Sequence, residues 1–393
     1  MPSEHLLEIP VASLKPGMFI AELDKPWLET PFALQGFFIQ DDDDIDYVSK
    51  HCSYVYIDPG LMASNRNRSR SRELIDRASI RQELPQAKID FVNASSSLEK
   101  VFANIRSNRH LDVKAVQEAI NPLIDSVFRN REALSALVRM KDKGDYLFEH
   151  SLSCAIWSAV LGRHLGMDKT TLQHLALGAA TMDVGMTLLP DALLGKKGKL
   201  TLKEVQQIHG HVKESLKILK ESGDASNTVL NIVACHHERF DGSGYPRGME
   251  NPQIPLLARI AGLVDAYDAM VTQRPHAPAR SSFDAMQELS DLRGIHFQES
   301  LVEQFVQAVG LFPTGTIVEI NTGEVGVVVQ QNSNRRLRPK VALILDKNKK
   351  RHLQIVTIDL NKYVQETDGT PTQWIAKEHE AGAFNLNPDE YFL

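Results

Sequence analysis

The spacing of apolar residues changes twice along this chain, and each change marks a different kind of structure. Over residues 4 to 58 the apolar runs are short and broken by turn residues. "IPVASLKPGMFIAEL" places a Lys-Pro-Gly turn between two of them, and "GFFIQ" and "YVYID" add two more. Short runs separated by turns predict strands, so residues 1–60 are expected to form a small N-terminal β-rich domain. The acidic run Asp41 to Asp44 reads as a solvated turn between strands. From about Ser97 the period lengthens. Leu98, Val101, Phe102 and Ile105 recur at helical spacing, as do Val113, Val116, Ile120, Leu123 and Val127, then Leu134, Leu137 and Val138. "HSLSCAIWSAVLGRHLG", "LQHLALGAATMDVGM", "KEVQQIHGHVKESLKILK", "NTVLNIVACHH", "IPLLARIAGLVDAYDAMV", "DAMQELSDL" and "ESLVEQFVQAVG" continue it, so residues 97–310 are predicted to be all-α. Beyond them, "GTIVEINTGEVGVVVQ" reads as strand, Asn-Thr-Gly turn and strand, with "KVALILD" and "HLQIVTI" following. Residues 311–393 are therefore expected to be a C-terminal β-module and tail. The fold class is multidomain: a central helical bundle flanked by two small β-rich units.

Length and composition agree with that division. At 393 residues the chain exceeds one typical domain. Residues 61–96 hold "SNRNRSRSR" at 64 to 72, read as a solvated Arg/Ser-rich linker in preference to an RNA contact. Hydrophobic residues make up 42% and charged residues 24%, as in soluble globular proteins. A net charge of −6 gives no basic field for nucleic acid, so no DNA partner is expected. Cys52, Cys154 and Cys235 are few and widely spaced, which excludes a disulfide framework and suits a reducing compartment. No apolar stretch reaches the ~20 residues of a membrane span, and the first residues lack the pattern of a signal peptide. A cytoplasmic location is expected.

The chemistry lies in polar residues lodged within the apolar helices. His150 opens one helix, Asp183 ends a second, His211 lies within a third, His236 and His237 end a fourth, and Asp265 interrupts a fifth. Taken singly, each has a plain explanation, such as a histidine satisfying a carbonyl or an aspartate capping a neighbouring helix. Six on successive helices are different, because facing helices are how bundles build carboxylate and imidazole metal sites. Adjacent helical residues point ~100° apart. The pair His236–His237 can therefore reach one metal only at a helix end, or can reach two sides of a metal pair. His209 and His211, two apart, face away from each other, so only one can point inward; the register of Val205, Ile208, Val212 and Leu216 leaves the choice open.

His150, "MDVGM" at 182 to 186, His211, "HHERFDGSGYPRG" and "ARIAGLVDAYDAM" stand in the order and spacing of the HD-GYP family, a branch of the HD phosphohydrolases, which residues 140 to 310 resemble. The HHE-x-x-DGSGYP block is its most specific part. "IPVASLKPGMFIAEL" also resembles a domain of unknown function that often precedes HD-GYP domains in bacterial proteins. The resemblance implies two divalent metals of iron or manganese type and hydrolysis of cyclic di-GMP to pGpG and GMP by metal hydroxide. It puts His150, Asp183, His211, His236, His237 and Asp265 at ligand positions, with Asp183 bridging, and selects His211 over His209. His150 and Asp183 are the catalytic pair it implies. Gly244, Tyr245, Pro246 and Arg274 take the substrate-binding positions, Tyr245 stacking on a base or donating to a phosphate.

Several positions depart from the family pattern. Met182 replaces the histidine of the defining His-Asp doublet, Met186 stands for a phosphate-side lysine, and His276-Ala277 for Tyr-Arg. Tyr146 stands where some members carry a glutamate, which speaks against a third metal. One metal would keep Asp183, His211, His236 and His237, whereas the other keeps His150, Asp183 and Asp265 and lacks an imidazole; three ligands still suffice for a catalytic metal. Losing the lysine removes transition-state charge worth ~10²-fold or more. The expected function is a cyclic di-GMP phosphodiesterase of weakened activity in bacterial signalling. A second reading is a non-catalytic module that senses cyclic di-GMP or docks a diguanylate-cyclase protein through residues 241 to 248. A third, an HD hydrolase of another nucleotide, is opposed by the Gly-Tyr-Pro block. A homodimer is left open.

Overall fold

Pro16 and Gly17 make the turn that enters the second strand of the chain's N-terminal sheet. Met18 N donates to Lys15 O at 3.1 Å, and Gly17 holds φ 91°, the left-handed value that the third position of a type II turn requires. The turn leads into a four-stranded antiparallel sheet with strands β1 (Leu7–Pro10), β2 (Phe19–Leu23), β3 (Phe37–Phe38) and β4 (Tyr54–Ile57) in the order β1-β4-β2-β3. Val11, Leu14, Ile20, Leu23, Ile39, Val48, Val55 and Ile57 form its core. The acidic run expected as a turn instead opens a helix, α1 (Asp42–Ser49). Carboxylates at a helix N-terminus meet the positive end of the backbone dipole, so acidity and helix are compatible there. The computed structural model describes residues 6–24, 37–39, 42–57, 76–108, 110–140, 146–274, 277–332, 338–362 and 373–391. The run at 64 to 72 and His276 lie outside them. The chain divides into two units, Met1–Ile75 and Asp76–Leu393.

The second unit begins with α2 (Ile80–Asn108), well before the expected boundary at 97, so the C-terminal part of the expected linker 61–96 is helix. Its buried positions Leu84, Ala87, Ala94, Leu98, Val101, Phe102 and Ile105 keep helical spacing. Two alanines within a polar stretch are too small to signal that face in the sequence. Glu83 is buried and ties α2 to α3 (Val113–Arg129), accepting from Ser126 Oγ at 2.7 Å and from both Nε and Nη2 of Arg129 at 2.7 and 2.8 Å. The bundle continues through α4 (Arg131–Met140), α5 (Tyr146–His164), α6 (Lys169–Thr181), the short α7 (Asp191–Leu194), α8 (Leu202–His209), α9 (His211–Ser222), α10 (Asn227–Cys235), α11 (Leu256–Val271), α12 (Ser282–Asp291) and α13 (Glu299–Val309). At its centre Tyr267 packs edge-on against Trp157 and Phe305, at centroid distances of 5.8 and 5.0 Å.

The run "KEVQQIHGHVKESLKILK", expected as one helix, divides at Gly210 into α8 and α9. A capping box between Thr201 and Glu204 starts α8, which has no buried residue. The C-terminal strands β5 (Ile317–Ile320), β6 (Val325–Gln330), β7 (Lys340–Leu345), β8 (Arg351–Asp359) and β9 (Ile375–His379) form an antiparallel sheet in the order β8-β7-β6-β5-β9. Gly323 turns the β5–β6 hairpin with φ 90°. Two carboxylates join this sheet to the bundle. Glu132 of α4 accepts from Thr314 Oγ1 and Gln331 N, both at 3.1 Å. Glu378 of β9 pairs with Arg139 of α4 at 2.9 Å and accepts from Phe283 N of α12 at 3.3 Å. No described helix is long and apolar enough to cross a membrane.

Candidate metal centre

Five helix termini or helix faces deliver nitrogen and oxygen donors to one place. His150 lies in the second turn of α5, Asp183 precedes a 3-10 turn after α6, His211 opens α9, His236 and His237 follow α10, and Asp265 sits mid-way along α11. Gly262 lets α11 approach: a β-carbon there would lie 2.2 Å from His236 O. The structure brings all six sequence-derived residues together in two overlapping sets. Asp183, His211, His236 and His237 offer atoms within 4.8 Å of one another, and so do His150, Asp183 and Asp265. All are buried except His237, whose side chain is 15% exposed.

Asp183 joins the sets. Its Oδ1 lies 3.0 Å from His211 Nε2 and 3.8 Å from His236 Nε2, whereas its Oδ2 lies 3.6 Å from His150 Nε2. Asp265 also spans both, with Oδ1 3.0 Å from His150 Nε2 and Oδ2 3.6 Å from His237 Nδ1. Carbonyls fix the tautomers of two rings. His211 Nδ1 donates to Ile208 O at 2.7 Å and His236 Nδ1 to Val233 O at 2.9 Å. In the neutral rings the Nε2 atoms then carry lone pairs, and these two nitrogens face each other at 3.4 Å. Lone pairs that converge beside two carboxylates repel unless a cation lies among them, so this donor set fits a divalent metal.

The electrostatics follow from burial. Burial opposes ionisation of Asp183, but the imidazoles of His150, His211 and His236 around it outweigh that and hold its carboxyl well below the usual range. His211 is likewise penalised by burial yet raised by Asp183, whose carboxylate favours a positive charge, proton or metal, at the facing Nε2. Burial, followed by the charges of His236 and His211, pushes His237 well below the ordinary imidazole value, which leaves it neutral and able to ligate. Cys154, one turn along α5 from His150, is pushed up to about 12 by burial and packs as a thiol.

Two further carboxylates escaped the sequence reading. Asp268 Oδ2 lies 2.8 Å from His150 Nδ1 and accepts its N–H, which leaves the Nε2 lone pair towards Asp183 and Asp265. Its signal was the i, i+3 spacing from Asp265 on one helix face. Glu238, buried within the HHE block, accepts from Arg247 N and Met249 N, both at 2.8 Å, and so anchors the far end of the Gly-Tyr-Pro loop. The near end depends on Gly244, where a β-carbon would lie 2.3 Å from Arg239 N. Tyr245 N donates to His237 O at 3.1 Å, and its ring stacks on His237 at 4.6 Å and on His209 at 3.6 Å. Stacking of Tyr245 on a substrate base is thus blocked in this conformation, and its hydroxyl edge is what it can offer. Pro246 is exposed, and Arg274 lies beyond α11, its backbone paired with Ala277. Met182 is wholly buried and Met186 half-buried.

Three regions of the chain match known domains. Residues 128–301 match the HD domain, residues 6–116 the domain of unknown function DUF3391, and residues 317–365 a KOW domain associated with HD domains. The cyclic di-GMP phosphodiesterase PA4108 of Pseudomonas aeruginosa is 28% identical over 371 residues, 91% of this chain and 89% of that protein. The cyclic di-GMP phosphodiesterase response regulator RpfG of Xanthomonas campestris is 32% identical over 199 residues, 48% of this chain and 52% of its own length. A solved structure of Bd1817, described as an HDG"Y"P protein of Bdellovibrio bacteriovorus, shares 18% identity with a TM-score of 0.48, and the match covers 76% of this chain and 98% of its own. Along the chain the match to the HD domain thus lies between a match to DUF3391 and a match to an HD-associated KOW domain.

Proposed function

We propose that this chain is a metal-dependent phosphodiesterase that hydrolyses cyclic di-GMP to pGpG and GMP. The observation that carries this reading is the convergence of the His211 and His236 lone pairs on Asp183, with Nδ1 of each ring already committed to a carbonyl. Asp183, His211, His236 and His237 would hold one divalent ion, and His150, Asp183 and Asp265 a second. Mixed imidazole and carboxylate donors suit iron or manganese. Such a pair, when bound, activates water at neutral pH and offsets the charge of a phosphodiester undergoing in-line attack.

The chain's own residues orient and shield. Asp268 sets the His150 tautomer, and the carbonyls of Ile208 and Val233 set those of His211 and His236. Asp183 presents one oxygen to each half. Tyr245, through its hydroxyl, and Arg274 are the groups assigned to phosphate oxygens, and Gly244 and Pro246 shape the loop that carries Tyr245. Met186 supplies no positive charge where the family has lysine, so turnover is slow. The names of the relatives support cyclic di-GMP as substrate, and the 3′3′-cGAMP-specific phosphodiesterase 2 of Vibrio cholerae, 29% identical over 196 residues, makes that dinucleotide the proper control.

The test is to purify the protein with iron or manganese, measure bound metal and follow cyclic di-GMP beside 3′3′-cGAMP. Formation of pGpG and GMP, abolished by chelation and by Asp183→Asn, is expected. Metal-loaded protein that yields no product at high enzyme concentration, or that cleaves only 3′3′-cGAMP, would overturn the assignment.

A further inference from the structure

His209 is not among the grouped donors, yet its ring lies 3.6 Å from that of Tyr245 at an interplanar angle of 9°. His237 stacks on the same tyrosine at 4.6 Å and 25°. Two rings so close to one centroid cannot share a face without overlapping, so the phenol is held between them. The break at Gly210 is slight, since its φ of −61° and ψ of −20° stay helical. In an unbroken helix residues 209 and 211 would point ~200° apart. Here α8 ends at His209 and α9 begins at His211, and one imidazole enters the donor cluster while the other closes on the loop.

The surroundings show what His209 is for. α8 buries none of its residues, and Leu202 at its start is 85% exposed. The helix therefore gains little by packing on the bundle, and the stack on Tyr245 is a defined contact at its C-terminal end. Tyr245 in turn belongs to a loop anchored at Arg247 and Met249 by Glu238 and at its own amide by His237 O. Between those anchors, the aromatic stack is what fixes the ring.

We propose that His209 is a positioning residue: it holds Tyr245 against His237 and so keeps the Gly-Tyr-Pro loop closed over the donor cluster. The role needs an aromatic face and not an imidazole nitrogen. It rests on the proposed phosphodiesterase function only for its kinetic consequence, since the closure of the loop is a property of the chain itself.

Amide hydrogen exchange of the full-length protein, purified without added metal, reads the closure directly through peptides spanning Tyr245. His209→Ala is expected to speed exchange there by roughly threefold to tenfold, the worth of one aromatic pair. His209→Phe should restore the wild-type rate. Peptides within α9 and α10 should exchange as in the wild type in both variants. With metal and cyclic di-GMP, His209→Ala should raise KM by a similar factor with little change in kcat, and His209→Phe should reverse it. Unchanged exchange at Tyr245 in His209→Ala, failure of the phenylalanine variant to restore it, or equal loosening of α9 would each overturn the proposal. If exchange behaves as expected but the wild type hydrolyses nothing, the latch stands and the phosphodiesterase reading falls.

Discussion

Met182 sits wholly buried in the chain beside the carboxylate that joins both halves of the cluster. A thioether is a poor ligand for the metals that imidazole and carboxylate favour, so an ion on the His150 side would depend on three donors. Met182→His is expected to tighten metal retention at that side by at least about tenfold, the scale on which neighbouring groups tune such sites. Metal analysis after dialysis against a graded chelator checks it, and an unchanged profile would mean that the added ring does not reach the cluster. Glu303, away from the site, permits a test of burial alone. Desolvation, with the nearby Glu299 charge second, raises its pKa from the ordinary value to about 7. A raised carboxyl pKa means that the folded chain binds the proton more tightly, so stability is full at low pH and declines as pH rises through about 7. Glu303→Gln should therefore be more stable than the wild type at pH 8, by on the order of 2 kcal/mol, and no different at pH 4. Denaturant melts at the two values decide it. At this scale the sequence was informative where residue type alone carries the chemistry. His150, Asp183, His211, His236, His237 and Asp265 were visible as polar intrusions into apolar helices. Asp268 and Glu238 were not, because a carboxylate that orients its neighbours looks in sequence like any buried cap.

Elements determine which of those residues meet. The period of the apolar positions predicted the helices, but it could not show that Gly210 divides one of them, since a glycine inside a helical pattern is usually only a weak point. Of His209 and His211, only His211 joins the donor cluster, while His209 stacks on Tyr245 beside it. The early start of α2 was hidden for a related reason: Ala87 and Ala94 pack fully while adding little hydrophobic signal. In the C-terminal sheet β9 was missed as well, because "IAKEH" carries a single large apolar residue and its strand character comes from pairing with β5. The loop from Asp241 to Gly248 acts as an element of its own, and Glu238 is its anchor. Glu238→Ala removes the acceptor of two amides and should cost about 1.5–3 kcal/mol of local stability per charged hydrogen bond. Limited trypsin digestion would show faster cleavage after Arg247. Resistance equal to that of the wild type would assign the loop's order to Gly244 and the aromatic stack instead.

Across the whole second unit, the bundle and the C-terminal sheet are joined by buried polar contacts. Arg139 is 13% exposed at its side chain and Glu378 only 3%. Glu378→Ala leaves Arg139 charged and without its carboxylate, which is expected to destabilise the unit by about 3 kcal/mol. Calorimetry should show bundle and sheet melting together at lower temperature; a separate early transition confined to the sheet would mean that the two are energetically independent. The same pair has a consequence in time. Arg139 and Glu378 are 239 residues apart in the chain. At about 5–20 residues per second, a ribosome adds the carboxylate roughly 10 to 50 s after the guanidinium. Through that interval the helices can collapse, but α4 has an arginine that cannot yet be buried with its partner. That contact therefore forms only once β9, the last strand among the described residues, has been made, and truncation before it is expected to destabilise the bundle that carries the candidate metal centre.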